Sequence, residues 1–86
     1  MALYFGRGKL YDGEEFVAEV DYTLDMTRTE DGIKGRGELN PVNVDEMPAE
    51  FKDAFLQVRS GNKYPILIEV WDSGTYKSWE FEIRSV

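Results

Sequence analysis

The chain contains no cysteine and no histidine. Without cysteine there is no disulfide and no thiolate metal site to supplement a hydrophobic core. The usual mark of a small secreted scaffold is therefore missing, although the absence is neutral about compartment. Without histidine the commonest general base is gone. A Ser-His-Asp triad and any His-ligated zinc or haem go with it. Long apolar runs are missing as well. The longest unbroken one, Met1-Ala2-Leu3-Tyr4-Phe5, falls far short of the ~20 residues a membrane-spanning helix needs; inside the chain, Ile66-Leu67-Ile68 is shorter still. The first residues, Met1-Ala2-Leu3-Tyr4-Phe5, turn polar at Arg7. They show neither a basic leader nor a long apolar segment, so no signal peptide and no membrane partner are expected, and the expected location is cytoplasmic.

Positive charge is in short supply. Ten basic residues face seventeen acidic ones, for a net charge of −7. Such a surface repels a phosphate backbone unless the charges are segregated. Here the basic residues are scattered from Arg7 to Arg84, which argues against nucleic acid as a partner. The converse, an acidic mimic of nucleic acid, is a remote alternative. Phosphate-cradling and nucleophile-elbow motifs are also absent. Gly6-Arg7-Gly8 lacks the third glycine of a dinucleotide fingerprint, and no Walker A or Gly-x-Ser-x-Gly run occurs. No cofactor is expected.

What remains is a chain of 86 residues, the size of one domain spanning residues 1–86. A domain this small buries only about 60–65% of its unfolded surface. Turn dipeptides punctuate it at Asp12-Gly13, Asp31-Gly32, Gly61-Asn62 and Ser73-Gly74. Such pairs between alternating segments signal hairpins.

The clearest strand covers residues 15–28. Phe16, Ala18, Val20, Tyr22, Leu24 and Met26 alternate with Val17, Glu19, Asp21, Thr23, Asp25 and Thr27, a period of two that places each set on its own face. Two-residue turns predict its pairings. At Asp12-Gly13 they set Phe5 against Val20 and Leu3 against Tyr22. At Asp31-Gly32 they set Leu39 against Leu24, Gly37 against Met26 and Glu38 against Asp25. In residues 47–59, Phe51, Ala54, Phe55 and Val58 fall at i, i+3, i+4 and i+7. With Pro48 in the first turn and Gly61 beyond the end, that stripe predicts a helix. A last hairpin through Ser73-Gly74 sets Ile68 against Trp79, Ile66 against Phe81 and Trp71 against Tyr76.

The predicted fold is α+β and mainly antiparallel β, in the order β-β-β-α-β-β. It is a curled five-stranded sheet or small barrel with one helix. In plan this is similar to small barrels of the SH3-like or Sm-like kind, a likeness of fold that carries no function. Gly6-Arg7-Gly8 and Gly35-Arg36-Gly37 echo one another on either side of the long strand. Glycine inside a strand marks a bend, a bulge or a close approach.

Two places are candidates for function. Glu19, Asp21 and Asp25 share the polar face of the long strand with Glu38 beside them. Asp21, Asp25 and Glu38 are the candidate cation ligands, or acid and base of a carboxylate-based hydrolase. Lys34 and Arg36 lie on the same face and offset them. The second place is the outer face of the last hairpin, where Trp71 and Tyr76, extended by Leu67, form an aromatic patch of the kind that anchors interfaces. The leading expectation is a non-enzymatic interaction or assembly domain that binds protein through this hairpin, with self-association into a homodimer or larger as one form. The alternative is a small-ligand or cation-binding domain.

Overall fold

In the computed structural model, residues 2–84 are described. Six strands make up almost all of the fold: β1 (Ala2–Asp12), β2 (Glu15–Thr29), β3 (Gly32–Pro41), β4 (Ala54–Gln57), β5 (Lys63–Asp72) and β6 (Lys77–Ile83). Every neighbouring pair is antiparallel, in the order β1-β2-β3-β6-β5-β4. Pairing of Lys9–Asp12 with Ala54–Gln57 returns β4 to β1 and closes the ring. The core lies inside it. Ala18, Val20, Tyr22 and Leu24 of β2 alternate inward, as the period of two requires, and meet Leu10, Leu39, Leu56, Ile66, Trp79 and Phe81. Closure leaves fewer unpaired strand edges than an open sheet, which is how small antiparallel folds limit exposed backbone.

The expected helix is not there. Residues 54–57 form β4, the sixth strand, and the only helical turn among the described residues is a 3-10 turn at Val44–Glu46. The helical stripe left Leu56 unclaimed, yet Leu56 is 1% exposed. Alternation of Ala54 and Leu56 into the core satisfies both residues, which a helix would not. A tether from the first turn adds to this. The Asp12 carboxylate accepts from the Asp53 N–H at 2.9 Å and the Lys52 N–H at 3.2 Å, and the Gly13 N–H donates to the Asp53 carbonyl at 2.7 Å. These bonds hold the chain extended as it enters β4. Asp12→Ala is expected to cost about 1–2 kcal/mol in urea denaturation, the worth of bonds to a charged acceptor at a partly exposed site. Asp12→Asn should retain part of it.

All three hairpins whose registers the sequence predicts have registers other than those expected. In β1–β2, Asp12 pairs with Glu15, and Val17 is an extra residue because Leu10 faces Ala18 while Tyr11 faces Phe16. This bulge turns Gly6, Gly8 and Leu10 inward and leaves Leu3 and Phe5 68% and 75% exposed. Volume is the cause. Tyr22 fills the interior opposite Gly6, and a side chain at Gly8 would collide with its ring and with the Gln57 carbonyl. In β2–β3, Glu30-Asp31 forms the turn, so Leu39 faces Tyr22 and Leu24 faces Gly37. In β5–β6 the turn has four residues, closed by the Ser73 N–H to the Tyr76 carbonyl and the Gly74 N–H to Asp72 Oδ1, both 2.9 Å, with Gly74 at φ +93°. Ile66 therefore faces Ile83, Ile68 faces Phe81 and Val70 faces Trp79. These last two shifts are of two residues. They keep every side chain on its face and change only its partners.

Candidate functional site

The outward face of β3, β6 and β5 carries side chains in cross-strand rows. In one row, Asp25 of β2, Arg36, Glu82 and Leu67 lie side by side, so Arg36 stands between two carboxylates. The next row reads Thr23, Glu38, Glu80 and Glu69. Glu38 is directly opposite Glu80, and Glu80 is directly opposite Glu69. Directly opposed like charges destabilise a sheet, and this row contains no cation. Around it runs a shallow depression of about 360 Å³, lined by the same carboxylates with Arg36 and Leu67.

Apolar side chains border this row. Leu67 and Trp71 project from β5 on the same face as Glu69, 59% and 57% exposed. The Trp71 indole N–H donates to Glu80 Oε2 at 3.1 Å, which holds the ring against the row with its face open. Tyr76 is 69% exposed but lies in the four-residue turn. Trp71 pairs with Ser78, so the expected Trp71–Tyr76 pair does not form.

The acidic residues singled out on β2 are dispersed by their partners. Asp21 receives the Arg7 guanidinium at 3.1 and 3.4 Å. That hydrogen bond, then the attraction of the Asp21 charge, raises the Arg7 pKa above its ordinary value. In strand register Glu19 lies opposite Lys9 and Asp25 opposite Arg36 rather than Glu38, with no ion pair in either case among the described residues. Glu38 lies across from Thr23 and joins the other row. Asp21, Asp25 and Glu38 are therefore not brought together. Among the described residues no group of three or more acidic side chains is arranged to hold a metal ion. The register hid the real row. Glu69, Glu80 and Glu82 are all on the wet face in sequence, but only a four-residue turn puts Glu80 opposite Glu69. The signal that could have shown this is the run Asp72-Ser73-Gly74, where a side-chain carboxylate can cap the turn.

The chain matches no protein-family model, and no curated protein or solved structure is significantly similar to it. Among the described residues no helix is long and apolar enough to cross a membrane.

Proposed function

We propose that this chain is a non-enzymatic interaction domain that docks a basic segment of another protein on the outward face of β3, β6 and β5. The observation that carries the reading is the uncompensated row Glu38, Glu80, Glu69 beside the exposed Trp71 and Leu67. Lysine or arginine side chains laid across the row relieve its repulsion. Trp71 supplies an aromatic face for a guanidinium or ammonium group, and Leu67 a place for the aliphatic stems. An open face with three alike carboxylates suits attraction better than acid–base catalysis, which needs two groups in different environments. The charge also speaks against a twofold dimer through this face. An isologous contact sets the same patch on both subunits, so the acidic row would meet itself between two chains of net charge −7.

Tryptophan fluorescence during titration with an arginine-rich peptide tests this, with an acidic peptide of the same length as control. Saturable binding of the basic peptide alone is expected, weakening as salt rises. Glu80→Gln should weaken it by about three- to tenfold, as for loss of one charge-assisted contact at a partly exposed site. Light scattering should find a monomer. No binding at low salt, or a dimer that Trp71→Ala dissolves, would overturn the reading.

A further inference from the structure

We propose that the open end of the ring binds a small amphipathic carboxylate, its apolar body inside and its anionic group against Arg59. The site follows from where the strands part. β1 pairs with β4 only over Lys9–Asp12, and β4 pairs with β5 only over Phe55–Gln57. Past Gln57 the chain turns through residues 58–62, so among the described residues the first half of β1 has β2 on one side and no strand on the other. The gap opens into a cavity of about 560 Å³. That lies within the range of roughly 300–1,000 Å³ usual for small-molecule sites, and barrel mouths are among their common positions.

The walls are apolar and aromatic: Tyr4, Tyr22, Leu24, Met26, Val58 and Tyr64. At the rim stand Arg59, Ser60 and Asn62. Among the described residues, Arg59 is the only charged one in the lining. Seventeen of the 86 residues are acidic, yet none of them lines this cavity. The selectivity implied is for an anion and against a cation, opposite to that of the outer face.

Arg59 is held in place. Its backbone N–H donates to the Tyr22 hydroxyl at 3.1 Å, and Tyr22 is itself buried. Its aliphatic stem lies beside Gly6, while the side chain makes no ion pair among the described residues. Gly6 differs from its neighbour Gly8. A Cβ at Gly8 would collide with the Gln57 carbonyl, whereas one at Gly6 would meet the Tyr22 hydroxyl at 3.5 Å and Arg59 Cδ at 3.7 Å, ordinary contacts. The fold therefore does not need glycine at position 6. Its missing side chain leaves space beside the phenol and the Arg59 stem, at the rim where the carboxylate would sit.

Decanoate, decan-1-ol and decylammonium, matched in chain and differing in charge, test the proposal through backbone amide shifts in NMR titrations. Decanoate is expected to bind saturably at one site, with shifts concentrated at Tyr4, Tyr22, Met26 and Val58. Decanol should bind there about tenfold more weakly, the expected worth of one charge-assisted contact. Decylammonium should leave these residues unmoved. Arg59→Gln should bring decanoate to the level of decanol and leave decanol unchanged. Gly6→Val, whose methyls fill the space beside the Tyr22 hydroxyl and the Arg59 stem, should weaken both. The melting temperature of each variant reports that the fold is retained. Decanoate and decanol binding equally in both wild type and Arg59→Gln would overturn the anion site. No saturable shift with any probe would overturn the cavity as a ligand site, as would shifts along β1 produced only by an extended peptide, since that occupant adds a strand instead.

Discussion

Leu56→Ala is expected to lower the unfolding free energy by about 3–4 kcal/mol, the usual cost of emptying a leucine site in a packed core. Leu56 is 1% exposed and sits in the middle of the core cluster, at the centre of a strand of four residues. It pairs with Leu10 of β1 on one side and Tyr64 of β5 on the other, so the loss falls where the ring closes. A domain of this length is stabilised by roughly 5–10 kcal/mol in all, and the variant should be partly unfolded near 40 °C. Phe55→Ala is the informative partner. Phe55 points the other way and is half-buried, with the Lys63 ammonium 5.6 Å from its ring centre, and its loss should cost less. On a helix the order would be reversed, because Phe55 would be on the apolar stripe and Leu56 off it. Urea denaturation of the two variants decides between these arrangements.

Gly37→Ala is expected to cost about 2–3 kcal/mol, at the upper end of overpacking effects. A Cβ at Gly37 would run into the backbone of β2, at the Thr23 carbonyl and Leu24 Cα. Backbone cannot rotate away as a side-chain end can. The two strands would have to part along the pairing that places Leu39 on Tyr22 and Glu38 beside Glu80. Gly6→Ala serves as the contrast, since its new methyl makes only ordinary contacts, and its effect should stay within about 1 kcal/mol. Thermal melts of both, with amide exchange in β2 and β3, measure the difference. Equal effects would mean that the two strands are not pressed together at Gly37.

The echo Gly6-Arg7-Gly8 and Gly35-Arg36-Gly37 thus separates into unlike parts. Gly8 and Gly37 are demanded by backbone in contact. Gly35 meets the movable ends of Ile83 and Leu24, and Gly6 meets nothing closely. Sequence shows four equivalent glycines, because the neighbours that distinguish them come from β2, β4, β6 and the turn after β4, all remote in the chain.

The candidate site was half legible. Leu67 and Trp71 were correctly placed on an outer face, since strand parity alone assigns the face once the strand is recognised. The acidic row was misplaced. A charge on β2 has its neighbours on β1 and β3, and those depend on turn length. A turn displaced by one residue, as at Glu30-Asp31, or longer by two, as in the last hairpin, leaves the apolar faces matched, so face matching cannot detect it. Yet it moves Glu38 from Asp25 to Thr23 and Trp71 from Tyr76 to Ser78. The bulge at Val17 was invisible for a different reason. Leu3 and Phe5 look like core residues, and only the bulk of Tyr22 inside the ring and the close Gln57 carbonyl decide that a glycine must stand at the inward position 8 of β1.

Alternation along residues 15–28, with turn residues at short intervals, was enough by itself to determine an antiparallel β fold, since a period of two can bury one face only in a sheet. The missing histidine and cysteine by themselves ruled out whole classes of chemistry. Tertiary structure alone decided the closed ring, the strand in place of a helix, and the rows of charge. A short stripe such as Phe51, Ala54, Phe55 and Val58 fits either period. The choice was made by partners distant in sequence, through the hydrogen bonds of Asp12 to the chain entering β4 and the burial of Leu56 between two strands.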